Sequence, residues 1–145
     1  MTTRARDAGP LAREIDHTAD VGLEIEAPTL PLLFERAGLA VLACMLPLAT
    51  VEPRESVAFE VTAPDTDELL HDWLQALVVQ VQAHGFVACE LTATVGAGVV
   101  CGVAVGERLD PARHHLEREV KGITHHGLAV EQRPGGLRAR VILDV

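Results

Sequence analysis

At 145 residues, 48% apolar and 23% charged, the chain has the size and balance of one domain folding around a core. Twelve Lys and Arg against twenty-one Asp and Glu give a net charge of -9, which disfavours unaided binding of a nucleic acid. The polar first ten residues do not read as a signal peptide, and no apolar run has the length of a membrane span. Cys44, Cys89 and Cys101 are odd in number and widely spaced, as expected of reduced thiols in a cytoplasmic protein.

In chain order, residues 1–14 read as an N-terminal tail and residues 15–145 as one domain. Ile15 to Ala27 has strand character, with Val21, Leu23 and Ile25 alternating against Gly22, Glu24 and Glu26. Thr29 can cap a helix whose apolar residues Leu30, Leu33, Phe34, Ala37 and Val41 recur at helical spacing, with Pro47 beyond its end. Ser56 to Val61 alternates as a strand. Asp65, with Glu68 three residues on, opens a second helix along Leu70, Trp73, Leu74, Leu77 and Val81, and Gly85 stops it.

Phe86–Val95 and Val99–Val105 read as strands joined at Gly96-Ala97-Gly98. A less regular stretch, Gly106 to Lys121, precedes an expected strand from Ile123 to Val130. Pro134-Gly135-Gly136 marks a turn, and Leu137 to Val145 is a last strand. The order predicts an α+β fold, two helices on a largely antiparallel β-sheet in a single compact domain.

Few residues offer chemistry. Ser56 is the only serine and has no motif around it, and the cysteines lie on apolar stripes, as small core residues do. Lys121 is the only lysine beside eleven arginines, which makes it a candidate anion contact. His17-Thr18-Ala19-Asp20 is a bare His-x-x-Asp, and Asp144-Val145 brings carboxylates together at the end. If the strands bearing Asp20 and Asp144 are neighbours, their oxygens would repel unless a cation sat among them. Ca²⁺ or Mg²⁺ suits such ligands, and His17 keeps Zn²⁺ open. His125 and His126, adjacent in an expected strand, would point to opposite faces and could not share one metal. His114 and His115 meet the same objection less firmly.

The His17–Gly22 segment, Leu69-Leu70 with Trp73-Leu74, Gly106-Glu107 with Asp110, Glu119-Val120-Lys121 with Thr124 and His126, and Leu143-Asp144-Val145 occur together in order. In this the chain resembles the archease family from about Ile15 to Val145. The family's Lys-Ala-x-Thr-Tyr-His stands here as Lys121-Gly122-Ile123-Thr124-His125-His126, so His125 replaces a tyrosine. The aromatic common in the last hairpin is replaced near Leu137.

The resemblance implies a protein cofactor rather than an enzyme. Its partner would be a GTP- and metal-dependent RNA ligase that joins a 3′-phosphate or 2′,3′-cyclic phosphate end to a 5′-hydroxyl end in tRNA splicing or RNA repair. The cofactor promotes guanylylation of the ligase and multiple turnover. The resemblance also implies a divalent cation, Ca²⁺ first and Mg²⁺, Mn²⁺ or Zn²⁺ after it, held by Asp20, Asp144 and Val145. Lys121 and His17 are the residues expected to act in ligase activation. The competing expectation from the same carboxylates is a stand-alone metal-dependent hydrolase or nuclease.

Overall fold

The computed structural model describes residues 2–15 and 20–145. Among them are nine strands and two α-helices: β1 (Thr2–Arg4), β2 (Arg13–Ile15), β3 (Val21–Ala27), α1 (Leu30–Ala43), β4 (Glu55–Thr62), α2 (Thr66–His84), β5 (Phe86–Gly96), β6 (Val99–Arg108), β7 (Gly122–Ile123), β8 (Ala129–Arg133) and β9 (Gly136–Asp144). One sheet runs β1-β5-β6-β4; the other runs β2-β3-β9-β7, with β8 also on β9. Every strand pair is antiparallel. The α+β expectation, two helices on antiparallel sheet, is what the chain adopts.

The caps form where the sequence signals them. Thr29 accepts from Leu32 N–H at 3.4 Å, Asp65 Oδ1 accepts from Glu68 N–H at 2.9 Å, and Gly85 ends α2 in the left-handed conformation. The apolar stripes of both helices are buried, and each helix packs on strands of both sheets. Trp73, fully buried, ties them together: its indole N–H donates to the Phe34 carbonyl of α1 at 2.9 Å, and its ring stacks on Phe59 of β4. Buried Glu35 joins α1 to the edge of the first sheet, accepting from Thr3 Oγ at 2.6 Å and Ala93 N–H at 2.8 Å.

Three sequence expectations change. Ile15 to Ala27 is not one strand: Ile15 pairs with Gly22 and Arg13 with Glu24, so the chain reverses between β2 and β3. Gly22 suits this close pairing, because a Cβ there would lie 2.6 Å from Ile15 Cγ1 and force that side chain to shift. On the face of β3 expected to be wet, Glu26 is exposed but Glu24 is buried among Arg13, Arg138 and Arg140. Ile123 to Val130 is likewise two short strands, β7 and β8, separated by a turn in which Gly127 has φ +73°. Cys101, finally, is exposed on β6 and its thiol faces Glu60 across the strand pair, while Cys89 is a core residue.

Candidate metal and partner site at the chain ends

Antiparallel pairing of β3 with β9 joins the start of the domain to its end. The register runs from Ala27 opposite Leu137 to Val21 opposite Leu143. The next residue outward on one strand is Asp20 and on the other Asp144. Opposed residues of an antiparallel pair share a face, so continuing the register sets both acidic residues on the face of Gly22 and Ile142. On the far side of β9, Gly122 of β7 pairs with Asp144, and Lys121 N–H donates to the Asp144 carbonyl at 2.7 Å. Asp144 therefore lies between the residues that open β3 and the segment that carries the lone lysine. Its side chain and that of Lys121 are exposed, and Asp20 and Val145 are half-buried.

Helix α2 holds the lysine segment in place. The Gln82 amide donates to the carbonyls of Val120 and Lys121 at 3.0 and 3.1 Å, and Ile123 N–H donates to Gln75 Oε1 at 2.9 Å. His71 Nε2 lies 2.8 Å from the Ile123 carbonyl. One polar stripe of α2 thus fixes the backbone from Val120 to Ile123, which a sequence reading of the apolar stripe passed over.

Of the residues singled out from sequence, Asp20, Asp144, Val145 and Lys121 are brought to one end of the second sheet. His17, with Thr18 and Ala19, lies outside the described residues. Two carboxylates and main-chain oxygens are the donor types a hard divalent ion takes, and Asp144 is anchored there through its backbone while the residue stays exposed. A cleft of about 520 Å³ lies elsewhere, between residues 9–14 and Cys44, Glu117 and Arg118. Burial pushes the Cys44 thiol up there, which does not favour a nucleophile.

A second group of metal-ligating residues lies on the α2 side of the lysine segment. Glu68, His71, Asp72 and His125 each offer a ligand atom, all within 4.8 Å of one another. The turn between β7 and β8 aims His125 at α2, 3.3 Å from Glu68 and stacked on His71, so alternation along a strand does not govern it. The structure groups His125 with His71 rather than with His126. The sequence signal was the spacing of Glu68, His71 and Asp72 at i, i+3 and i+4 on a helix.

Glu107 and Asp110 have a different setting. Glu107 is buried, bound by Arg113 on both oxygens, by Glu52 N–H at 2.6 Å, and with His114 Nε2 at 3.2 Å. The Arg113 guanidinium foremost, with the Glu52 amide, holds its carboxyl down at about 2. Asp110 accepts from Ala112 N–H and Arg113. Among the described residues no helix is long and apolar enough to cross a membrane.

Comparison with known proteins bears on the fold and the family. Residues 13–145 match the model of the Archease protein family (MTH1598/TM1083). Protein archease of Methanopyrus kandleri is 37% identical over 137 residues, 91% of this chain and 97% of that one. Protein archease of Pyrococcus furiosus is 30% identical, over 90% and 95%. The solution structure of Methanobacterium thermoautotrophicum protein 1598 superposes with a TM-score of 0.76 at 28% identity, covering 92% of this chain and 98% of that one. A Thermotoga maritima crystal structure described as an archease, possible chaperone, shares the fold at 18% identity with a TM-score of 0.64, over 92% and 96%. The chain belongs to the archease family.

Proposed function

We propose that the chain is a protein cofactor of a GTP- and metal-dependent RNA ligase of the type that joins 3′-phosphate or 2′,3′-cyclic phosphate ends to 5′-hydroxyl ends. It acts in the cytoplasm, in tRNA splicing or RNA repair, promoting guanylylation of the ligase and its repeated turnover. Asp20, Asp144 and the main-chain oxygen of Val145 hold a divalent cation, Ca²⁺ foremost, which supplies positive charge for phosphate groups at the ligase's centre. Lys121 steadies a phosphate or a ligase carboxylate, and His17 acts with it in ligase activation.

The observation that carries this reading is the β3–β9 register, which ends with Val21 opposite Leu143 immediately before the two carboxylates. The net charge of -9 supports it as well, since an acidic protein is drawn to the basic groove of an RNA-binding enzyme. The test is guanylylation of the cognate ligase with sub-stoichiometric amounts of this protein. Wild type should raise the guanylylated fraction over many turnovers, and Asp20→Ala and Asp144→Ala should each abolish that gain while remaining folded. Full stimulation by both variants would refute the assignment. RNA cleavage by the pure protein with Mn²⁺ and no ligase would favour a hydrolase instead.

A further inference from the structure

The cluster on α2 has a feature that hydrogen bonding alone leaves awkward. His71 is nine-tenths buried, and both its ring nitrogens face oxygen: Nε2 the Ile123 carbonyl at 2.8 Å, Nδ1 the Asp72 Oδ1 at 2.8 Å. A carbonyl only accepts, so Nε2 carries a proton. In the neutral ring Nδ1 then presents a lone pair to a carboxylate oxygen that is also an acceptor. A cation between them resolves this, either a second proton on the ring or a metal ion. Two ligand atoms each about 2.0–2.1 Å from a tetrahedral ion stand about 3.3 Å apart, so the 2.8 Å pair would open by about half an ångström, within reach of a turn of the half-exposed Asp72 side chain.

We propose that Glu68, His71, Asp72 and His125 form a second metal site, selective for Zn²⁺ and like borderline divalent ions, separate from the carboxylates at the chain ends. Two imidazoles and two carboxylates suit Zn²⁺ or Co²⁺ and not Ca²⁺, which prefers six or more oxygens. The Nε2–H bond to the Ile123 carbonyl fixes the ring of His71 and leaves Nδ1 as ligand, the outer-sphere arrangement usual for metal-bound histidine. Glu68, His71 and Asp72 need no rearrangement of the backbone, since i, i+3 and i+4 positions already share a helix face. His125 must turn. Its ring now lies 3.6 Å from that of His71 at 18°, and stacked rings cannot both aim a lone pair at one point. The side chain is exposed and sits in a turn, so rotation out of the stack is inexpensive. A shallow cleft of about 430 Å³ lined by Asp65, Asp67, Glu68 and His125 gives an ion access. Bound there, the ion would clamp the start of α2 to the turn after β7, and so fix the segment that carries Lys121 beside Asp144.

The experiment is titration of the full chain with Co²⁺, followed by visible ligand-field bands, with Zn²⁺ added in competition. Wild type should take up one ion with intense bands that Zn²⁺ erases. His125→Tyr, an exposed change, should weaken uptake at least tenfold, and His71→Gln, checked for folding by circular dichroism, should do so further. Asp144→Asn should leave the bands unchanged, which separates this site from the one at the chain ends. Zn²⁺ should raise the melting temperature of wild type and not of His125→Tyr. Absence of bands in wild type would mean that His71 simply carries the second proton, and the site would be wrong. Bands that survive His125→Tyr unchanged and vanish in Asp144→Asn would equally overturn it.

Discussion

Two groups of acidic residues in this fold have opposite settings. Glu107, on β6, is surrounded by donors from its own chain: Arg113, the Glu52 amide, His114 and, at 3.4 Å, Arg54. Asp144 is held through its backbone, by Lys121 N–H on its carbonyl and by pairing with Gly122, and it is exposed beside the residues that open β3. A buried carboxylate is tolerated when the chain itself supplies the positive charge and hydrogen bonds it needs, and it then works for the fold. An exposed carboxylate at the junction of three strands contributes little to folding, and its rigid placement suits a ligand or partner. Glu107 and Asp144 both fall in segments that carry the family resemblance, yet their surroundings differ in this way.

The sharpest way to break that contrast is to remove each carboxylate and read both stability and ligase stimulation. Asp144→Ala should eliminate stimulation with a melting temperature close to wild type. Glu107→Ala should cost about 2–3 kcal/mol of stability, because Arg113 and the Glu52 amide lose a charged partner in a buried setting. Stimulation by Glu107→Ala should persist at temperatures where it stays folded. Urea unfolding beside the guanylylation assay distinguishes these outcomes, and an unstable Asp144→Ala would collapse the distinction.

Acid sharpens the same comparison with a smaller effect. Glu107 titrates at about 2 in the fold against an ordinary value of 4.5, with the Arg113 hydrogen bond as the main cause. Its contribution to stability is complete above 4.5 and is lost as pH falls from 4.5 toward about 2. Glu107→Gln should flatten the acid limb of a melting-temperature profile across that window. An unchanged slope would show that other carboxylates govern acid unfolding.

Much of the framework was legible in the sequence because it rests on local rules. The spacing of Leu70, Trp73, Leu74 and Leu77 and the caps Asp65 and Gly85 define α2 without reference to the rest of the chain. The meeting of the chain ends entered only as a condition, that the strands bearing Asp20 and Asp144 be neighbours, and the pairing of β3 with β9 meets it. What stayed hidden depends on partners far along the chain. The β2–β3 reversal leaves the alternation of Val21, Leu23 and Ile25 unchanged, so the pattern reads the same whether Ile15 continues the strand or folds back on it. The break between β7 and β8 is a turn, with Gly127 at positive φ and Leu128 N–H on the His125 carbonyl, and α2 holds the strand on either side: Asp67 accepts from Val130 N–H, and His71 faces the Ile123 carbonyl. His71 itself lies beside an apolar stripe, and nothing in its neighbourhood in sequence announces His125, more than fifty residues on.

The smallest expected effect tests how precisely α2 positions the lysine segment. Gln75→Ala removes the acceptor of Ile123 N–H, a bond of 2.9 Å at a half-buried position. Its net value is about 1 kcal/mol, equivalent to about 2–4 °C in melting temperature for a chain of this size. The pairs of Gly122 with Asp144 and Ile123 with Leu143 remain, so β7 should stay on β9. If Lys121 acts through placement beside Asp144, stimulation of the ligase should fall by more than this small loss of stability explains, and Gln75→Glu, which keeps the acceptor, should restore most of it. Equal stimulation by wild type and Gln75→Ala would mean that the backbone pairing of Lys121 with Asp144 suffices, and that the polar stripe of α2 serves the fold alone.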